Sequence, residues 1–325
     1  MHVMLVNRSP IPVFAYGGTE RVIWDLGRAL VRLKYKVTFL VPRGSYCEFA
    51  DVLVIDEHKR IEDQIPDDID LIHFQFKPDH PEIIRKPWLM TQHGNSQVGE
   101  RLPQNTNFVS QDHAARHGSD CYVRNGLNWD DYGKVDLQGN AGYAHFLGKA
   151  AWRVKNVKGA IEVACEAGVP IKVLGGTRLN LKRGFRYTWT RQASFYGMVG
   201  GEKKLNLLRA SAGLIFPVRW QEPFGLAVIE SMYFGAPVFA TPYGAMPELV
   251  DDKSGVLATN VHDLATAWRS FNADRRYIHE RTQETFSANK MAESYVQLYE
   301  KIMNGESLNA TLPEMTAPAK ALPWE

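Results

Sequence analysis

The chain has 325 residues, 45% of them hydrophobic, which is enough for two buried cores. Its formal net charge is only +2 and its cations are scattered, without the dense basic and aromatic interleaving of a nucleic-acid-binding surface. Cys47, Cys121 and Cys165 form no C-x-x-C pair, MHVMLVN is too short for a signal peptide, and no apolar run approaches the ~18–20 residues of a spanning helix. A reduced, cytoplasmic setting is expected.

From the N-terminus, HVMLVN is strand-like, and Thr19 to Leu33 repeats apolar residues at Val22, Ile23, Leu26, Leu30 and Leu33, a helical period. Lys36–Pro42 returns to a strand, and further strands are expected at Leu53–Ile55, Asp70–Gln75, Trp88–His93 and Asn107–Ser110. Their apolar runs are continuous rather than alternating, the mark of a parallel sheet covered on both faces. Asn128–Gly142 is polar, contains glycine and reads as a linker. The pattern then restarts with a strand in AHFLGK, a helix in VKGAIEVACEAG that ends at Gly168, and strands in IKVLGG, SFYGMV, AGLIFPV, PVFAT and GVLAT. A closing helix is expected over 288–303, with the stripe Met291, Tyr295, Leu298 and Ile302, before a Pro-rich, aperiodic tail at 305–325.

The expected fold is therefore α/β, with two doubly wound, Rossmann-like parallel-sheet domains facing across a cleft. Residues 1–134 form the first, 142–287 the second, and helix 288–303 packs back on the first. Ligands of such domains bind outside the carboxyl ends of the strands. A dinucleotide enzyme fits poorly, because the first strand leads into RSPIPVFAYGGTE with no G-x-G-x-x-G, and the second ends Val41-Pro42-Arg43 with no acid. Gly17 and Gly18 precede a helix that Thr19 can cap, and a helix start of this kind suits an anionic group. An ordinary strand-to-helix turn would look the same.

The stretch EPFGLAVIES places Glu222 on a loop after the strand AGLIFPV and Glu230 on the second turn of the helix that follows. Two acceptors with backbone donors between them suit a ligand rich in hydroxyls that also carries phosphate. The longer block FPVRWQEPFGLAVIESMYFGAPVFATPYGAMPELVDDKSGVL closely resembles the signature of glycosyltransferase family 4, which are retaining, nucleotide-sugar-dependent transferases of the GT-B fold. The resemblance extends to FYGMVGGEKKLNLLRASAGLIFPV, YGGTERVIWDLGRALVRLKYKVTFLVP, WLMTQHGN, YVRNGL and HFLGKAAWRVKNVKGAIEVACEAGVPIKVLGG, and so to most of the chain outside the tail.

The resemblance implies that Glu222, the first glutamate of the E-x7-E motif, lies against the donor sugar, and that Glu230 binds the nucleotide ribose. Backbone amides of Phe224, Gly225 and Leu226 would contact sugar and phosphate, with Gly17 and Gly18 also on the donor. His93 matches a histidine near the sugar ring. The family's arginine after the first strand of the second domain is here Lys149, a point charge without the bidentate fork. For the second diphosphate cation RVKNVKG offers Arg153, Lys155 and Lys158; alignment of the helix favours Lys155 and turns Lys158 away. Base recognition would fall to loops near Gly175-Gly176 and Tyr196–Val199.

The implied activity is metal-independent transfer of a sugar, with no cofactor beyond the nucleotide-diphosphate-sugar co-substrate, to a hydroxyl acceptor that the sequence does not name. Its rivals are a catalytically degenerate nucleotide-sugar-binding protein and a GT-B sugar-nucleotide epimerase. His113 and His117 mimic a metal pair but lack the glutamate of H-E-x-x-H, and read as solvated helix residues. Arg21, Arg28, Arg32, Lys34 and Lys36 beside Trp24 offer a peripheral membrane contact at the inner face of the membrane, although the solvent side of a first helix accounts for them more simply.

Overall fold

The computed structural model describes residues 1–13, 17–139, 141–181, 185–316 and 321–325, and the chain divides into two units. The first gathers residues 1–13, 17–129 and 286–316; the second gathers 130–285 and 321–325.

In the first unit β1 (His2–Val6), α1 (Gly18–Arg32), β2 (Lys36–Val41), β3 (Asp51–Val54), β4 (Leu71–Phe74), β5 (Trp88–Gln92), β6 (Thr106–Phe108) and α2 (Gln111–Ala115) follow in chain order. The six strands form one parallel sheet in the order β3-β2-β1-β4-β5-β6. Val3, Met4, Leu5 and Val6 of β1 are fully buried, which is why this strand shows no alternation in sequence. Helix α1 covers the sheet with Val22, Ile23, Leu26 and Leu30. Its N-cap is Gly17 rather than Thr19, and no side chain caps it. Trp24 packs edge-on to Phe49 and parallel to Phe39, and Arg28 lies over Trp24 and Phe49. The aromatic group of the expected membrane face is thus engaged within the unit itself.

The second unit repeats the winding: β7 (Ala144–Leu147), α3 (Val157–Ala167), β8 (Ile171–Leu174), β9 (Leu179–Asn180), β10 (Arg186–Tyr187), β11 (Ala193–Phe195), α4 (Gly201–Arg209), β12 (Gly213–Phe216), α5 (Leu226–Tyr233), β13 (Val238–Ala240), α6 (Met246–Leu249), β14 (Gly255–Leu257), α7 (Val261–Ser270) and α8 (Arg275–Thr285). Its parallel sheet runs β11-β8-β7-β12-β13-β14, and β9 and β10 form a separate antiparallel hairpin. Gly168 ends α3 in the left-handed conformation, as expected for a glycine just past a helix. Helix α9 (Ala288–Met303) returns to the first unit and packs on α1. Its buried face is Met291, Ala292, Tyr295, Tyr299 and Ile302, with Leu298 only half-buried.

Three expectations are corrected. His113 and His117 are buried, not solvated: His117 stacks on Phe108 and bonds to the His113 carbonyl and to Ser96 Oγ, while His113 Nε2 bonds to the Gly94 carbonyl. Burial pushes the pKa of both below the ordinary histidine value, and a neutral imidazole is tolerated in a core, although His113 Nδ1 has no partner among the described residues. The described residues after α9, 304–316 and 321–325, do not form a free tail. Leu102 donates to the Pro313 carbonyl, Gly99 to that of Met315, and Asn309 and Met315 are buried in the first unit. Further on, Leu322 and Glu325 bond to Arg219, Thr259 and Val261 in the second. Finally, the expected linker carries buried aromatic anchors, Trp129 and Tyr132, where a polar spacer was expected.

Candidate active site

In both units the winding reverses at the central pair of strands, β1/β4 and β7/β12, and the carboxyl ends of such a pair are where doubly wound sheets place ligands. In the second unit the two loops leaving β7 and β12 are bound to each other. Arg219 donates its amide to the Val154 carbonyl at 2.7 Å, and Asn156 Nδ2 donates to that of Pro217 at 2.9 Å. Lys155 and Glu222 meet on this scaffold, Nζ to Oε2 at 2.5 Å, with both side chains largely buried. Trp220 Nε1 donates to the same carboxylate oxygen at 2.7 Å, and the Lys155 ammonium sits 4.7 Å from the Trp220 ring centre and 5.3 Å from that of Phe216. An ion pair in apolar surroundings is stable only with such extra contacts, which also fix its geometry. Lys158 points elsewhere, exposed and paired with Glu162. Lys149 follows the end of β7, its ammonium 5.2 Å from the Trp152 ring centre.

Helix α5 begins directly behind Glu222. Gly225 is its N-cap at φ 107°, a left-handed conformation that favours glycine, and a Cβ there would lie 2.6 Å from Met246 Cε. No side chain caps this helix, so the amides after Gly225 open a helix N-terminus. Phe224 is buried, Leu226 is half-buried, and the Glu222 carbonyl accepts from Ala245, which anchors the loop at its other side. Glu230, on the second turn, is buried. Its Oε1 receives Lys204 Nζ at 2.5 Å and the Tyr132 hydroxyl at 2.7 Å.

The loops assigned to base recognition join the same edge. Ala150 donates to the Gly175 carbonyl, Gly175 to that of Gly197, and Gly197 to that of Gly176. The three chain ends after β7, β8 and β11 are thereby tied backbone to backbone.

In the first unit Gly17 stands where a Cβ would lie 2.8 Å from both Val13 Cγ1 and Glu20 Oε2, so close packing requires it, and Gly18 opens α1. His93 follows β5 and its Nε2 donates to Gln75 Oε1 at 2.8 Å. Desolvation lowers its pKa to about 4. Gln75 follows β4 at that unit's own reversal point, and its Nε2 is a buried donor with no partner among the described residues.

Lys204, Tyr132 and Trp220 did not emerge from the sequence reading. Lys204 left a trace: it shares the buried side of α4 with Leu208, four residues on, and a cation on an apolar stripe calls for a buried anion.

Residues 144–274 match the family model described as glycosyl transferases group 1. The chain is similar to the O-antigen chain mannosyltransferase C of Escherichia coli, 22% identical over 373 residues that cover 94% of this chain and 100% of that protein. Among solved structures it resembles AviGT4, a glycosyltransferase involved in avilamycin A biosynthesis, with a TM-score of 0.77 at 18% identity over 94% of this chain and 99% of that one. It also resembles Anabaena HepE in complex with UDP and glucose, with a TM-score of 0.68 at 14% identity over 93% of this chain and 100% of that one. The two parallel-sheet domains are those of the GT-B glycosyltransferase fold.

Proposed function

We propose that the protein is a retaining glycosyltransferase that moves a sugar from a nucleoside-diphosphate donor to a hydroxyl acceptor without a divalent cation. The observation that carries this reading is the meeting of the Lys155–Glu222 pair with the glycine-started helix α5 at one sheet's reversal point, inside the family-matched segment. The similarity to a mannosyltransferase over nearly the whole chain, and to a structure holding UDP, supports a nucleotide sugar as donor.

In this reading Glu222 faces the donor sugar and Glu230 accepts from a ribose hydroxyl. Amides of Phe224, Gly225 and Leu226 receive the diphosphate, which Lys149 and Lys155 neutralise as the bond from the anomeric carbon to phosphate oxygen breaks. His93, Gly17 and Gly18 keep the donor-side roles that the resemblance implies. The acceptor oxygen bonds to the anomeric carbon on the face from which the diphosphate leaves, and the acceptor proton passes to the leaving phosphate oxygen. Configuration is retained without a covalent protein intermediate, and the protein acts by positioning and charge stabilisation. In this reading the reaction takes place in the cytoplasm, the setting expected for three cysteines without a C-x-x-C pair.

The test is turnover of uridine, guanosine, adenosine and thymidine diphosphate sugars in EDTA, with the anomeric product followed by NMR. Retained configuration is expected, with Lys149→Ala and Lys155→Ala each about 10²–10³-fold slower and Lys158→Ala unchanged. Nucleotide binding without turnover would instead identify a degenerate binding protein. Dependence on manganese, or inversion, would refute the mechanism.

A further inference from the structure

Residues Leu322 to Glu325 lie across the carboxyl edge of the second unit's sheet. Leu322 donates its amide to the Arg219 carbonyl, and its own carbonyl accepts from Arg219 Nε, both at 2.9 Å. The Pro323 carbonyl accepts from the Tyr243 hydroxyl at 2.9 Å. Glu325 donates to the Thr259 carbonyl at 3.1 Å, and a main-chain oxygen of Glu325 accepts from Val261 at 2.8 Å. Arg219, Tyr243 and Thr259 follow β12, β13 and β14, so this short segment ties three neighbouring strand ends together.

Trp324 adds a fourth point of attachment. Its indole lies on Gly159 in the first turn of α3, where a Cβ would come within 2.7 Å of Nε1 and 2.8 Å of Cε2. Nε1 is buried and has no hydrogen-bond partner among the described residues, so packing holds the ring. Pro323 fixes its own φ and confines Leu322 to extended conformations, which lessens the entropy lost on docking.

The residue gripped most firmly is the one that organises the site. The Arg219 amide binds the Val154 carbonyl and so joins the loops after β7 and β12. Lys155 follows Val154 in one loop, and Trp220, which donates to Glu222 Oε2, follows Arg219 in the other. Beneath Trp324, Gly159 donates to Asn156 Oδ1, and Asn156 Nδ2 holds the Pro217 carbonyl. A shift of Arg219 would carry Val154 and Trp220 with it, and through them both members of the Lys155–Glu222 pair. Glu230 is held independently, by Lys204 and Tyr132.

We infer, on the transferase reading, that residues 322–325 hold the Lys155–Glu222 pair in place for the reaction, with Trp324 and Arg219 as positioning residues. A displacement of about 1 Å can slow a reaction roughly 100-fold.

The test compares Trp324→Ala and Trp324→Phe in the full chain. Turnover is measured on the donor found with the panel above, affinity on its free nucleoside diphosphate, and local order by hydrogen exchange. In Trp324→Ala, kcat should fall about tenfold or more while nucleotide affinity stays within about twofold. Exchange at the Arg219 and Ala245 amides should quicken about tenfold, with β7 and β12 unchanged. Trp324→Phe should restore both readouts, since the indole N–H makes no bond. Unchanged exchange or turnover in Trp324→Ala would overturn the inference, as would an equal loss of turnover and nucleotide affinity. If the wild type turns over no donor, the transferase reading fails, and the exchange rates alone then decide whether the segment orders the pair.

Discussion

In the first unit a network of neutral polar groups joins α9 to the strands of the sheet. His73 on β4 sits between the Tyr299 hydroxyl and Thr91 Oγ1, each at 2.8 Å, and Thr91 and Asn107 reach the Tyr295 hydroxyl. In the second unit a similar core histidine, His145 on β7, lies between Ser211 and Ser231, but the same unit also buries two ion pairs, Lys155–Glu222 and Lys204–Glu230. Neutral networks stabilise α9 on its sheet and need nothing further. Buried ion pairs are seldom the most stable way to fill a core, so two of them beside a sheet's reversal point fit the proposal that a charged ligand is met there.

The strongest way to break this contrast is to remove one partner of a buried pair. Lys204→Met should destabilise the second unit by about 3–5 kcal/mol, because it takes the paired ammonium away from the buried Glu230 carboxylate, whereas Lys204→Met with Glu230→Met should recover most of that loss. Denaturant unfolding of the two variants measures it. A cost under about 1 kcal/mol for the single change would show that water or another cation reaches Glu230.

A smaller effect should follow in the neutral network. Tyr299→Phe strips a hydroxyl from His73 Nδ1 and should cost about 1–3 kcal/mol, the penalty for an unsatisfied buried polar atom. Unchanged unfolding would mean that the imidazole finds another partner.

The smallest effect is shared by both units. Burial lowers the pKa of His73 and of His145 to about 3 in the folded chain, against an ordinary value of 6.5. Each therefore contributes stability that is complete above pH 6.5 and is lost as the pH falls towards 3, because the unfolded chain takes up the proton first. Between pH 6.5 and 5.5 the loss should be about 1 kcal/mol per histidine. Melting curves across that interval test it, and a flat profile would contradict the neutral assignment.

Much of the fold was legible because its strands are buried on both faces and read as apolar runs, unbroken in β12 and interrupted by a single histidine in β4 and β7. The α9 boundaries were equally readable, since Ser287 caps its first turn and its stripe keeps a helical period. The hairpin was not anticipated: its strands have two residues each, and its apolar side chains cover no core. Docking of the segment after α9 was hidden for a related reason, because it is held by backbone bonds from Gly99 and Leu102, which leave no mark in side-chain order. At the site, the loop position of Glu222 followed from Pro223 and Gly225, but Tyr132 lies 98 positions from the carboxylate it holds, beyond the reach of any local pattern.

Gly175 and Gly176 bear on how this protein could diversify. A methyl group at Gly175 would lie 2.1 Å from the Gly148 carbonyl oxygen, and one at Gly176 would lie 2.4 Å from Ala150 Cβ. Point substitutions here would prise apart three loops at once rather than reshape one. Descendants of this chain that acquire a new nucleotide preference should therefore keep these two glycines and drift at their neighbours, Thr177 and Met198, whose side chains can change without moving the backbone.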